Sequence, residues 1–355
     1  MILRVLHHAA VHVDRAAHAA MFSRRALSAE SARVEALGHA ERIRVLEEIC
    51  ALYDRPDHLS EPDTFFGGPC PAAPSLVKQR DLPGGKVVDA TWDSGFSTYC
   101  REISDRYLAH APNRTAAARL FLHDGAPRPV AMLLQGYRCG QWSLEERVWP
   151  VQWLYERGLD VALPVLPFHA VRARRGGRPM FPSGDPRVTI EGFRQSVRDL
   201  RGLMHWLHAR GAPAVGVMGM SLGGYTSALL ATVEPELAFA VPIIPLASIA
   251  DFARTGGRLV GTEEQKRQQY EALEAAYRVV SPLGRPSQIS SDRLLVIGAS
   301  ADRITPLEHA QRLSAHFDAP LSVFPGGHLL QYGRAEAFRA AGRLLARLGL
   351  TRRSR

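Results

Sequence analysis

A chain of 355 residues, 46% apolar and 22% charged, has the composition of a globular protein, with room for one large α/β domain and an extension. No stretch approaches the roughly 20 apolar residues that span a bilayer, so no stable membrane insertion is expected. The net charge is +9, but only Lys78, Lys86 and Lys266 are lysines, and arginine supplies the rest without zinc-ligand spacing or a basic run interleaved with aromatics, so nucleic acid is not an expected partner.

The N-terminal stretch Met1–Leu27 sets small apolar residues among Arg4, His7, His8, Arg15 and Arg24. It lacks the unbroken apolar core of a secretory signal and reads as an amphipathic helix packed on the domain. His8 and His12 stand one helical turn apart, but no third ligand follows them, so no metal is expected. Helical spacing continues to about residue 60 through Val34, Leu37, Ile43, Leu46 and Ile49. A linker rich in breakers then carries Pro56, Pro62, Gly67, Gly68, Pro69, Pro71 and Pro74. This divides the chain into an extension and linker, 1–80, and a main domain, 81–355.

Beyond the linker the pattern predicts eight strands: Lys86–Trp92, Ala116–Leu122, Pro129–Gln135, Asp160–Leu166, Ala214–Met220, Phe239–Pro245, Arg293–Gly298 and Leu321–Phe324. The first two alternate and suit an antiparallel edge. Later ones are continuous apolar runs, as in Val130–Leu134, which fits a parallel sheet buried on both faces. A helix from about Arg187 to Arg210 carries one apolar stripe, Ile190, Phe193, Val197, Leu200, Met204 and Leu207, until Gly211 and Pro213 stop it. A second, Thr262 to Val280, opens on the capping box Thr262-x-x-Gln265 and carries Tyr270, Leu273, Tyr277 and Val280 on one face. A third, near Ala335 to Leu348, closes the chain. Alternating strands and helices imply a doubly wound, mostly parallel sheet with helices on both faces.

The four cysteines, Cys50, Cys70, Cys100 and Cys139, form no CxxC pair and fit reduced thiols in a cytoplasmic protein. Cys139 has no adjacent base in sequence and reads as passive. The chemistry lies elsewhere. Gly219-Met220-Ser221-Leu222-Gly223 follows the apolar run from Val215 and precedes a small-residue helix, Gly224 to Ala231. That strand–turn–helix context exposes the Ser221 hydroxyl at a helix N-terminus. A serine hydroxyl needs a base. His328, after a short strand and the turn Pro325-Gly326-Gly327, is the best placed. Asp302, after the strand that ends near Gly298, supplies the carboxylate that orients it, with Asp251 as the alternative acid. The Leu222 and Tyr137 main-chain N–H groups are the candidate oxyanion donors. Arg172, Arg174, Arg175 and Arg178 either face an anionic substrate group or, more simply, line a solvated loop.

From about residue 86 to 348 the chain resembles the α/β-hydrolase superfamily. Gly219–Gly224, the run Gly298–Asp302 with Pro306, and Gly326-Gly327-His328 match its motifs in order. The segments Leu163–His169 and Val280–Leu283 look like its poorly characterised "domain-containing protein eighteen" branch. The resemblance implies the α/β-hydrolase fold and a serine hydrolase with catalytic Ser221, Asp302 and His328, acting on a small-molecule carboxylic ester or thioester without a cofactor. An acyltransferase with the same three residues, or a non-catalytic binding protein on this fold, are the alternatives. Many members have His-Gly where this chain has Gln135-Gly136; the glycine of the donor loop is kept and the histidine is replaced. The segment 249–281, between a strand and the acid, is the expected lid.

Overall fold

A computed structural model describes residues 2–22, 36–68, 70–177 and 179–351. Of the residues singled out above, Met1, Arg24, Leu27, Val34, Pro69 and Arg178 lie outside these. Two helices of the extension are α1 (Ile2–Phe22) and α2 (His39–Tyr53). The sheet is built from β1 (Ser75–Leu82), β2 (Gly85–Asp93), β3 (Thr115–His123), β4 (Val130–Leu134), β5 (Asp160–Pro164), β6 (Val215–Met220), β7 (Ala240–Ile243), β8 (Val296–Ala299) and β9 (Leu321–Phe324). Among the helices of the main domain are α3 (Trp142–Val148), α4 (Pro186–Ala209), α5 (Leu222–Ala231), α6 (Ile249–Thr255), α7 (Glu263–Tyr277), α8 (Leu307–Phe317) and α9 (Arg334–Arg347).

The strand order is β1-β2-β3-β5-β4-β6-β7-β8-β9. The first three strands pair antiparallel, as β3 does with β5, and every pairing from β5 onward is parallel. The sheet therefore has nine strands, one more than the eight expected. The extra strand, β1, is solvent-exposed along almost its whole length. With no buried face to satisfy, its sequence Lys-Gln-Arg-Asp at 78–81 shows no alternation. The Pro83-Gly84 turn joining it to β2 was the available signal, with Gly84 at φ 67° in the left-handed region that a type II turn requires.

Strands β4, β5, β6, β7 and β8 are buried throughout. Their side chains divide between the two faces as the pleat dictates. Met132, Leu134, Val215 and Val217 join a core with α2, α4, α5 and α8. Ala131, Leu133, Met218 and Met220 join a second core with α9 and residues 149–155. The predicted stripe of α4 is buried in full. Much of its other side is buried as well: Ser94, Tyr107 and Asn113 cover Asp199 and Gln195, and the extension covers Glu191 and Arg201. The Tyr53 hydroxyl donates to Glu191 at 2.8 Å, and Arg201 donates to the Gly67 carbonyl at 2.7 Å.

The segment 249–281 forms α6 and α7, and both halves of the Thr262–Gln265 capping box are present. It rests on α2. Arg42 donates to the Arg258 carbonyl at 2.6 Å, and the Gln269 amide lies 3.1 Å from His39 Nδ1. Among the described residues no helix is long and apolar enough to cross a membrane.

Candidate active site

The carboxyl ends of β4, β6, β8 and β9 point to one edge of the sheet, and the loops leaving that edge carry the candidate residues. Ser221 sits between β6 and α5 with φ 55° and ψ −112°. An L-residue held there stores about 1–3 kcal/mol of strain. The turn is fixed by the Ser221 N–H, which donates to the Ile243 carbonyl at 3.0 Å, and by Tyr225 N–H, which donates to the Ser221 carbonyl at 2.9 Å. It also needs small neighbours: a Cβ on Gly219 would stand 2.0 Å from the Gly223 carbonyl oxygen.

Three side chains from three loops meet. His328 Nε2 lies 2.9 Å from Ser221 Oγ, and its Nδ1 lies 2.8 Å from Asp302 Oδ2. One neutral tautomer satisfies both bonds, with Nδ1–H donating to the carboxylate and Nε2 accepting from the hydroxyl. Asp302 is 1% exposed. Its Oδ1 accepts from the main-chain N–H groups of Ile304 and Thr305, both at 2.8 Å. The Thr305 hydroxyl stands 3.0 Å from Asp302 Oδ2, from the Ile244 carbonyl and from His328 Nδ1. Thr305 was not among the expected residues, although a threonine three residues after an aspartate in a loop is a recognisable turn signal.

Leu222 opens α5, so its N–H is one of the first-turn groups with no acceptor inside the helix. Tyr137 lies in the loop after β4, next to Gly136, where a Cβ would come within 3.7 Å of the Ser221 side chain. Two buried side chains shape this loop. In the orientation that pairs both ends of its amide, Gln135 donates to the Pro164 carbonyl at 2.9 Å and accepts from the Leu166 N–H at 2.8 Å. Glu145, on α3, accepts from the Gly140 N–H at 2.8 Å and from the Trp149 indole at 3.1 Å. Burial pushes its carboxyl above the usual range. Nothing in the sequence marks this glutamate.

Other candidates fall elsewhere. Asp251, the alternative acid, is held by Arg254, Arg312 and the Tyr270 hydroxyl, so its charge is compensated away from His328. Arg172 neither faces a ligand nor lines a solvated loop: it is buried, pairs with Asp199 at 2.8 Å and donates to the Val165 and Asn113 carbonyls. Arg174 is exposed and donates to the Ala109 carbonyl, and Arg175 is exposed. Burial pushes the Cys139 thiol up to about 11, which keeps it protonated and unreactive. Among the described residues, the His/Cys/Asp/Glu group spaced like metal ligands is His205, Glu234 and Glu236, not His8 and His12. His205 comes from α4 and the two glutamates from the turn between α5 and β7, away from Ser221, and Glu234 already accepts from Arg201 at 2.8 Å.

A model of the family "Alpha/beta hydrolase domain containing 18" matches residues 193–279, a stretch that includes Ser221. The "Uncharacterized protein Rv2627c" of Mycobacterium tuberculosis is 30% identical over 298 residues, 80% of this chain and 71% of that protein. Among solved structures, the acetyl xylan esterase from Paenibacillus sp. R4 superposes with a TM-score of 0.57 at 16% identity, over 85% of this chain and 98% of that one. Acetyl xylan esterase 1 from Thermoanaerobacterium sp. JW/SL YS485 gives 0.54 at 14% identity, over 87% and 93%. At such identities these two are alike in fold.

Proposed function

Because the chain belongs to the α/β-hydrolase superfamily and to the family of Rv2627c, we propose that it is a serine hydrolase cleaving a carboxylic ester or thioester through an acyl-enzyme on Ser221. The observation that carries this reading is the pair of bonds Ser221 Oγ–His328 Nε2 at 2.9 Å and His328 Nδ1–Asp302 Oδ2 at 2.8 Å. A serine in a strained turn at a helix N-terminus, already bonded to an oriented imidazole, is the arrangement that makes a hydroxyl nucleophilic.

In this reading Ser221 Oγ attacks the acyl carbon while its proton passes to His328 Nε2. Asp302 stabilises the imidazolium. The oxyanion accepts hydrogen bonds from the Leu222 and Tyr137 main-chain N–H groups. As the intermediate collapses, the bond from acyl carbon to oxygen or sulfur breaks, and His328 gives its proton to the leaving alcohol or thiol. Water then attacks the acyl-enzyme, returns a proton to Nε2, and the acid leaves as Ser221 regains its hydrogen. The segment 249–281 leaves the sheet at the same edge as Ser221 and serves as the cover of the acyl pocket.

A fluorophosphonate probe on the full chain tests the claim. Wild type should take one label, Ser221→Ala none, and p-nitrophenyl esters or thioesters should be turned over only by wild type. No label on wild type, or equal labelling of Ser221→Ala, would refute it.

A further inference from the structure

We propose that Asp14, on the N-terminal helix α1, is a positioning residue of this site, a claim that rests on the serine-hydrolase reading. Asp14 is 0% exposed. A carboxylate taken fully out of water is stable only where donors replace its hydration. Its donors are three main-chain N–H groups. Oδ2 accepts from His328 at 2.6 Å and from Arg303 at 3.2 Å, and Oδ1 accepts from Leu329 at 3.0 Å.

The identity of these donors is what matters. One belongs to the proposed base itself, one to the residue after it, and one to the residue after the proposed acid. The carboxylate thus bridges the loop leaving β8 to the loop leaving β9 and fixes the backbone from which both Asp302 and His328 project. The packing around it has the same two targets. Ala10 and Val11 of α1 form a small apolar cluster with Ala301, against which Tyr332 rests. Gly327 allows the close approach, since a Cβ there would stand 2.6 Å from Asp14 Oδ2 and 3.2 Å from Ala10 Cβ. The extension is therefore part of the active site, reached across 314 residues of chain.

An apolar residue at position 14 would serve a helix that only packs. A carboxylate aimed at His328, Leu329 and Arg303 holds the imidazole where Oγ and Asp302 both reach it. A displacement of about 1 Å in such a group costs about 100-fold in rate.

The test compares full-length wild type, Asp14→Ala and Asp14→Asn. Asparagine keeps the shape but turns an N–H₂ toward one of the main-chain donors, so it remains informative if the alanine variant does not fold. Two readouts are taken. Amide hydrogen exchange at His328, Leu329 and Arg303 should speed up in the variants while β4 and β6 stay protected. The rate constant of fluorophosphonate labelling should fall about 10- to 100-fold, in alanine more than asparagine. Partial unfolding alone would lower the labelled fraction and leave that rate constant in place. Unchanged exchange at the three amides, or folded variants that label at the wild-type rate, overturns the role of Asp14 and leaves the hydrolase reading standing. A wild type that takes no label overturns the hydrolase reading, and the positioning role falls with it.

Discussion

With its amide turned so that both ends are paired, Gln135 donates to the Pro164 carbonyl at 2.9 Å, which ties the end of β4 to the end of β5. The same amide accepts from the Leu166 N–H at 2.8 Å, so one side chain satisfies two main-chain groups, one at the end of β5 and one two residues beyond it. The loop that carries Tyr137 starts from this anchor. Gln135→Met keeps the length of the side chain and removes both bonds. Each buried group left unpaired costs about 1–3 kcal/mol, so the thermal midpoint should drop. If Tyr137 donates to the oxyanion, kcat on p-nitrophenyl acetate should also fall about 10- to 100-fold with a smaller change in KM. A variant with lowered stability and wild-type kcat would show that the anchor is not felt at the oxyanion.

Thr305 stands where one hydroxyl meets Asp302, His328 and the Ile244 carbonyl, each at 3.0 Å. Thr305→Val preserves the volume and deletes the hydroxyl. A loss of about 1 kcal/mol of hydrogen bonding corresponds to about a fivefold fall in kcat, and Thr305→Ser should restore most of it. Steady-state kinetics on the three chains decides this. If serine rescues nothing, the hydroxyl is not what supports the pair.

The sequence displayed what depends on burial and on local turns. The run Val130–Leu134 and the strand before Ser221 read as buried strands because both faces are covered. Ser221, Asp302 and His328 could be ordered because each follows a strand at a turn of small residues. What stayed hidden depends on contacts between distant segments. Strand β1 has no buried face and so no pattern. Arg172 looked like one more arginine in a basic loop, yet its partner Asp199 lies on α4. Gln135 raised a question in sequence that only Pro164 and Leu166, on the far side of α3, could answer. Asp14 had no signal at all, since every group it binds lies near the other end of the chain.

The Cys139 thiol, pushed up to about 11 by burial, should behave as a spectator despite lying two residues from Tyr137. At pH 8 a thiol of that character is almost wholly protonated and reacts slowly. Cys70 is exposed. With Ellman's reagent on the folded chain, the fast phase should belong to Cys70 and vanish in Cys70→Ser, while Cys139 reacts only on unfolding. A fast phase that survives Cys70→Ser and disappears in Cys139→Ser would reverse the assignment.

His169 gives a pH-dependent stability whose sign can be worked out. It is 0% exposed, its Nδ1 lies 2.8 Å from the Pro167 carbonyl, and its Nε2 has no partner among the described residues. Burial pushes its pKa down to about 4, against about 6.5 in the unfolded chain. Between those values the unfolded state binds the extra proton. The contribution of neutral His169 is therefore complete above pH 6.5 and lost progressively as pH falls toward 4, amounting to about 2 kcal/mol between pH 8 and pH 5. His169→Asn retains an N–H for the Pro167 carbonyl and does not titrate. Urea unfolding at pH 8 and pH 5 should show a loss of stability in wild type that shrinks by about 2 kcal/mol in the variant. Equal losses in both chains would mean that His169 can reach water, or find an acceptor for its second proton, without unfolding.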